Sequence, residues 1–239
     1  MASTKSARLF PKGSPLPACV SVRLNPAHAI RTPLLLLTLL LPVFIWSWID
    51  PFDRLIWWLE AFPAILAVIL LAATFEKFRL TDLVYILIAA HAVLLLVGAH
   101  YTYARMPVFN LIRDAFELER NHFDRLGHFV QGFVPAMIAR ELLLRTSPMR
   151  PGKWLFAIIV MSCAGISALF EVFEWLIASV GGASADDFLA LQGDVWDTQK
   201  DMLLATVGAA MALGLLGRQH DTQLRRLAAL TPPPASPGR

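Results

Sequence analysis

From Pro33 to Ile49 the chain carries no charged residue, and from Val84 to Ala99 only His91 interrupts the apolar run. Runs of about 17–25 apolar residues match the hydrocarbon thickness of a bilayer. A backbone in that setting must satisfy its own amides, which an α-helix does. The apolar segments predict helices near 33–49, 55–75, 80–99, 122–144, 154–180 and 197–217. The expected fold is therefore all-α, a polytopic membrane bundle of about six transmembrane helices. Pro42, Pro63 and Pro135 fall inside these segments, where kinks are tolerated if neighbours satisfy the freed carbonyls.

Composition excludes an ordinary soluble domain. Hydrophobic residues make up 56% and charged residues 16%, against about 45–50% and about 25% in globular chains. The remaining sequence divides into a basic tail at 1–32, the transmembrane domain at 33–217 and a second tail at 218–239. Both tails lack helical or strand periodicity and are rich in Pro, Ser, Ala and Arg, so disorder is expected there. No internal repeat of the kind found in secondary transporters is visible.

A net charge of +3 would suit a nucleic-acid partner, but its distribution does not. Lys5, Arg8, Lys12, Arg23 and Arg31 precede the first span without aromatic interleaving or a nucleic-acid motif. Lys77 and Arg79, then Arg145, Arg150 and Lys153, then Arg218, Arg225 and Arg226 flank alternate loops. Asp50, Asp53, Asp186, Asp187 and Asp194 mark the opposite side. The bias places both termini in the cytoplasm. Cys19 lies in the tail and Cys163 within a span, which disfavours a disulfide. The first apolar run ends in Asp50-Pro51-Phe52-Asp53 rather than a cleavage site, and so reads as a retained helix.

The segment 100–122 is too long for a simple turn. Val108, Phe109, Ile112 and Phe116 predict an amphipathic helix in the headgroup region. Tyr101, Tyr103, Trp46, Trp48, Trp57 and Trp58 suit an interfacial aromatic belt.

Candidate chemistry gathers in the last three spans. Asp124, His128 and Gln131 share one helical face, as do Glu171 and Glu174, with Ser167 a turn before them, and Asp197 and Asp201. At about 1.5 Å per residue, Asp124 and Asp197 lie at the external mouth. His128, Glu174 and Asp201 fall some 6–10 Å below it, and Glu171 and His91 roughly 14 Å below, with His100 at the rim. Alternating spans bring these ends to one depth, which predicts an outward-opening polar cavity between spans four, five and six. Charge inside a bilayer costs about 2.5–3.5 kcal/mol per residue, so the cluster needs partners or water.

Three readings follow. In the first, Asp124, His128, Glu174, Asp197 and Asp201 bind a divalent metal ion. Mixed carboxylate and imidazole donors suit Zn, Mn or Fe, and an all-oxygen subset Mg or Ca. Glu171 would then act as general base in attack on a lipid or envelope headgroup. In the second, Arg113, Arg120, Arg125 and Lys200 neutralise the acids in a structural network. In the third, the cluster relays protons or a transported cation. Arg140 and Glu141, near the other end of span four, read as a snorkelling or locally paired set. Small residues such as Gly165, Gly208, Ala212 and Gly214 signal close helix packing.

The ordered motifs Asn121-x-x-Asp124-Arg125-x-Gly127-His128-Phe129-x-Gln131-Gly132-Phe133, Glu171-x-x-Glu174-Trp175 and Gln192-Gly193-Asp194-x-Trp196-Asp197-Thr198-Gln199-x-Asp201-Met202 carry a resemblance. Together with Tyr101-Thr102-Tyr103-x-x-x-Pro107, they resemble the YjdF-like family of bacterial inner-membrane proteins over about residues 33–217. That family is one of unknown function, so the likeness implies topology and a bacterial inner-membrane location, with membrane lipids as the surroundings, but no reaction. A looser similarity links Asp124-Arg125, His128-Phe129, Glu171 and Asp197 or Asp201 to the VanZ-like membrane proteins. It implies a role at the lipid or envelope surface.

Overall fold

The computed structural model describes residues 31–181, 188 and 190–229. Among the described residues there is no strand. The helices are α1 (Arg31–Trp48), α2 (Arg54–Thr74), α3 (Asp82–Tyr101), α4 (Pro107–Ala115), α5 (Phe123–Thr146), α6 (Lys153–Gly181) and α7 (Asp197–Ala229), with a 3-10 turn at Tyr103–Arg105 before α4. Five of them are long and apolar enough to cross a membrane. The sixth long helix, α5, has 24 residues, about 36 Å at 1.5 Å each, which also suffices for a crossing. Its charges are confined to the ends: Asp124 and Arg125 at one, Arg140, Glu141 and Arg145 at the other.

The outer surface is apolar, with Leu35, Leu169 and Trp154 among its most exposed side chains, while Glu141 and Asp201 are buried. That inverts the pattern of a water-soluble bundle and suits a lipid surround. The turn into α2 is fixed by Asp53, whose carboxylate accepts from Leu55 N at 2.8 Å and Ile56 N at 2.9 Å, satisfying two donors that a helix start leaves open. The short α4 exposes Val108 and Leu111, and Phe116 follows exposed at its C-terminal cap, in line with the amphipathic helix expected from that segment.

Helix α3 packs on α1 and α2 and also on α5, which joins α6 and α7 in a second group. The α5–α7 contact is the most intimate. A Cβ on Gly132 would collide with the Ala205 carbonyl, and one on Gly208 with the Phe129 carbonyl. Only glycine permits this approach.

That contact alters one expectation. The cavity does not open among spans four, five and six. The backbones of α5 and α7 meet at the glycines, and the space lies on the other side of α5, walled by α2, α3, α5 and α6. The last helix also outruns its sequence-based end near 217, continuing to Ala229. Residues 218–229 are thus helical rather than tail, held by Arg140 through His220 at 2.7 Å and Asp221 at 2.6 Å. The expectation for the first tail falls outside the described residues, apart from Arg31 and Thr32, which open α1.

Two aromatics depart from the interfacial belt. Trp57 is fully buried, its indole N–H donating to Ser47 Oγ at 2.8 Å. Tyr103 inserts its ring between Gly98 of α3 and Gly127 of α5. Tyr101 stays with Trp46 and His100 in an aromatic group.

Candidate functional site

The polar end of the bundle has two layers. The outer layer starts with Asn121, just ahead of α5. Its Nδ2 donates to Met106 O at 2.9 Å and Asn110 Oδ1 at 2.8 Å, and its Oδ1 accepts from Phe123 N at 3.0 Å. Gln192 pairs with the Asn121 backbone reciprocally, accepting from its N at 2.8 Å and donating to its O at 2.9 Å. This clamp ties the segment before α7 to the start of α5. The segment needs left-handed backbone at Ala190, Gln192 and Gly193, and the clamp holds it there.

Cations of this layer neutralise specific acids. Arg120, 5% exposed, pairs with Asp197, reaches Asp124 at 3.4 Å and donates to Ala190 O at 2.9 Å. Arg125 pairs with Asp194, which also takes Lys200 at 2.6 Å. The Lys200 hydrogen bond and the Trp196 amide hold the Asp194 carboxyl below its usual range. Asp197, a candidate ligand by sequence, is thereby committed to Arg120. Arg113 pairs instead with its neighbour Asp114.

The inner layer is short of cations. His128 Nε2 lies 3.5 Å from Asp124 and its Nδ1 lies 3.6 Å from Glu171 and 3.1 Å from Gln131 Oε1. Two donor groups form around this ring, each with ligand atoms within 4.8 Å of one another. One is Asp124, His128 and Asp201; the other is His128, Glu171 and Glu174. Asp201 is 2% exposed and Glu171 9%, yet Asp201 Oδ1 and Glu171 Oε1 have no hydrogen-bond partner. Ser167 Oγ, fully buried a turn away, is also without one. A buried carboxylate oxygen left unpaired is costly and calls for a proton, a water or a cation.

A cavity of about 250 Å³ adjoins this layer, with Asp124, His128, Gln131 and Glu174 on one wall. The facing wall brings in Glu60, which the sequence reading passed over. Glu60 of α2 lines the cavity beside Tyr103, and its Oε2 has no partner. The available signal was its isolation, because it is the one acid inside the apolar run of α2. His91 also lines the cavity but joins neither donor group. His100 stacks on Trp46 with ring centroids 4.3 Å apart and takes no part.

A bundle with an apolar exterior and an acid-rich pocket at one end defines a polytopic helical membrane protein. The chain belongs to the family described as "Predicted membrane protein (DUF2238)", which matches residues 32–222. It is 44% identical over 202 residues to "Inner membrane protein YjdF" of Escherichia coli (strain K12), covering 84% of this chain and 95% of that protein. No solved structure matches. The chain is thus a multi-pass inner-membrane protein, as the motif resemblance implied, and neither description names a reaction.

Proposed function

We propose that the inner layer binds a divalent cation and that the protein acts at the headgroup level of the bilayer, on a lipid or envelope substrate. The observation that carries this reading is the pair of unpartnered, buried carboxylate oxygens on Asp201 and Glu171 around His128. If Gln131 Oε1 accepts the Nδ1 proton, the His128 Nε2 lone pair faces Asp124 and Asp201. Metal-bound histidines commonly hold their other nitrogen in such a hydrogen bond. Asp124, His128 and Asp201 then form the ligand set, with nitrogen and oxygen donors suited to Zn or Mn and less to Mg. A cation bound there would polarise a phosphoryl or ester oxygen and acidify water. Glu171 and Glu174, on the other edge of the imidazole, are placed to accept a proton from that water.

The competing readings separate by layer. Arg120, Arg125 and Lys200 with Asp194 and Asp197 form the structural network, which leaves the inner acids unbalanced. A carrier would need a route to the opposite end, and the core below the site is closely packed by Ala136, Met137, Ala209 and Ala212, none of them exposed. That packing favours a site served from one side.

The basic loop residues support the orientation we propose. Arg79 and Arg145 meet at the end opposite the site, the Arg145 guanidinium donating to Arg79 O at 2.5 Å. The positive-inside rule puts that end in the cytoplasm, with both termini, and the site on the outer face. A cysteine replacing exposed Asp114 in a Cys19→Ser background should then react with an impermeant label in intact cells.

Elemental analysis of protein purified in mild detergent without chelator tests the cation. Near-stoichiometric metal in the wild type, lost from folded His128→Ala, is the expected result. Metal-free wild type of undiminished stability would overturn the proposal.

A further inference from the structure

The cavity holds one acid that neither the cation site nor the outer network uses. Glu60 is 7% exposed and its Oε2 lacks a partner. Among the described residues it belongs to neither donor group around His128. Among the described residues no Lys or Arg lines the cavity, whereas Glu60, Asp124 and Glu174 all do. Asp124 has Arg120 nearby at 3.4 Å; Glu60 has no such counter-ion among the described residues. A lone carboxylate in a largely apolar, aromatic-walled space selects a monovalent cation with an organic body, and a protonated amine fits best because it also donates hydrogen bonds. Tyr103, Phe170 and Phe188 on the same walls favour a cation over an anion as well.

The cavity also reaches the outside of the bundle. Ile166 lines it, yet is 51% exposed on the surface of α6. Helices α2 and α6, whose residues face each other across the space, form no packed interface with one another among the described residues. A headgroup entering between them would keep its acyl chains in the bilayer, and a volume of about 250 Å³ accommodates a headgroup but not those chains.

We infer that the cavity binds the headgroup of a membrane amphiphile carrying a primary amine, with Glu60 as counter-ion to the ammonium. This rests on the preceding proposal in one respect: a phosphate in the same headgroup would face the cation held by Asp124, His128 and Asp201. The ammonium contact does not depend on it. The ligand class is therefore an aminoalkyl phosphodiester lipid rather than a choline or glycerol one. Methylation removes the ammonium hydrogens that would donate to Glu60, and a glycerol headgroup presents no cation.

The full chain in detergent would be titrated with dihexanoyl lipids bearing phosphoethanolamine, phosphocholine or phosphoglycerol heads, followed by tryptophan fluorescence. Wild type should bind the phosphoethanolamine lipid about tenfold more tightly than either other, the scale of one charge-assisted contact. Glu60→Gln should abolish that preference while metal content and thermal midpoint stay unchanged. Glu60→Asp should keep part of the preference and covers the case in which the Gln variant fails to fold. Equal binding of the three lipids by wild type, or a preference surviving in folded Glu60→Gln, would overturn the inference. Repeating the titration after chelator treatment separates the two proposals. Loss of overall affinity with the amine preference intact points to the cation, and metal-free protein that still discriminates leaves the Glu60 contact standing alone.

Discussion

The two ends of the bundle are both polar, and they treat buried charge in opposite ways. At the end away from the cavity, Glu141 is fully buried and fully used. Its oxygens accept from Thr81 N at 3.0 and 3.1 Å, Thr81 Oγ1 at 2.7 Å, Arg145 at 2.6 Å and His220 Nε2 at 3.0 Å. Arg140 completes the knot through His220 and Asp221. Two acids meet two guanidinium groups, and the one buried atom left over near this end, among the described residues, is a donor, Arg79 Nη1. At the cavity end, the ion pairs among the described residues give Glu60, Asp124, Glu171, Glu174, Asp194, Asp197 and Asp201 only Arg120, Arg125 and Lys200 as permanent cations. The buried carboxylate oxygens without a hydrogen-bond partner among the described residues, on Glu60, Glu171 and Asp201, all lie here. A closed network needs nothing further to exist in a membrane, whereas an open one is incomplete without a ligand, a proton or water.

The sharpest way to break this comparison is to neutralise one acid at each end. Glu141→Gln should be the most damaging substitution, since it leaves Arg145 and the fully buried His220 against an uncharged amide. Breaking a buried pair from one side costs about 3–5 kcal/mol. Asp201→Asn removes an uncompensated charge and should leave metal-free protein as stable as before, or more stable. Thermal unfolding of both variants in detergent checks this. Equal destabilisation would mean that the cavity end is as closed as the other.

A second substitution tests whether the glycine contact sets the position of the site. Gly132→Ala and Gly208→Ala each drive a methyl group into a facing backbone carbonyl, where no side chain can swing aside. Overpacking of this kind costs about 1–3 kcal/mol, and forcing α5 from α7 would also separate Asp124 and His128 from Asp201. Both variants should unfold at lower temperature and retain less metal. Gly165→Ala, with open space around its Cβ position, serves as the control and should change neither.

How much of this was legible beforehand follows the physics of each signal. Apolar length fixed the helices, because a bilayer admits few alternatives, and the four-residue spacing of Asp124 and His128 placed them on one face. The asymmetry between the ends was hidden. Glu141 pairs with Thr81 and His220, 60 and 79 positions away, and no local pattern reveals a partner at that range. The same holds for Arg120, whose capture of Asp197 spans 77 residues and removes that acid from the inner donor groups. Gly132 stood in a recognisable motif, but that it faces Ala205, and so moves the cavity to the α2 side of α5, is a property of packing. Glu60 carried a readable signal, a single acid in an apolar run, which its distance in sequence from the other acids obscured.

The smallest expected effect concerns the outer layer, which resembles the closed end in having its charges paired but differs in lying near the surface. Asp194 accepts from Lys200 and the Trp196 amide and pairs with Arg125, which together hold its carboxyl below the ordinary value of 3.8. A carboxyl depressed in the folded state contributes stability that is complete above its unfolded pKa and fades as pH falls through the folded one. The thermal midpoint of wild type should therefore exceed that of Asp194→Asn at neutral pH, and the difference should shrink only once pH drops below about 3.8. Lys200 is 46% exposed, so salt should weaken the same difference. A gap between the two proteins that persists in strong acid would show that Asp194 acts through its turn geometry at the start of α7 rather than through charge. That outcome would move the outer layer closer in kind to the Asn121–Gln192 clamp than to the buried knot around Glu141.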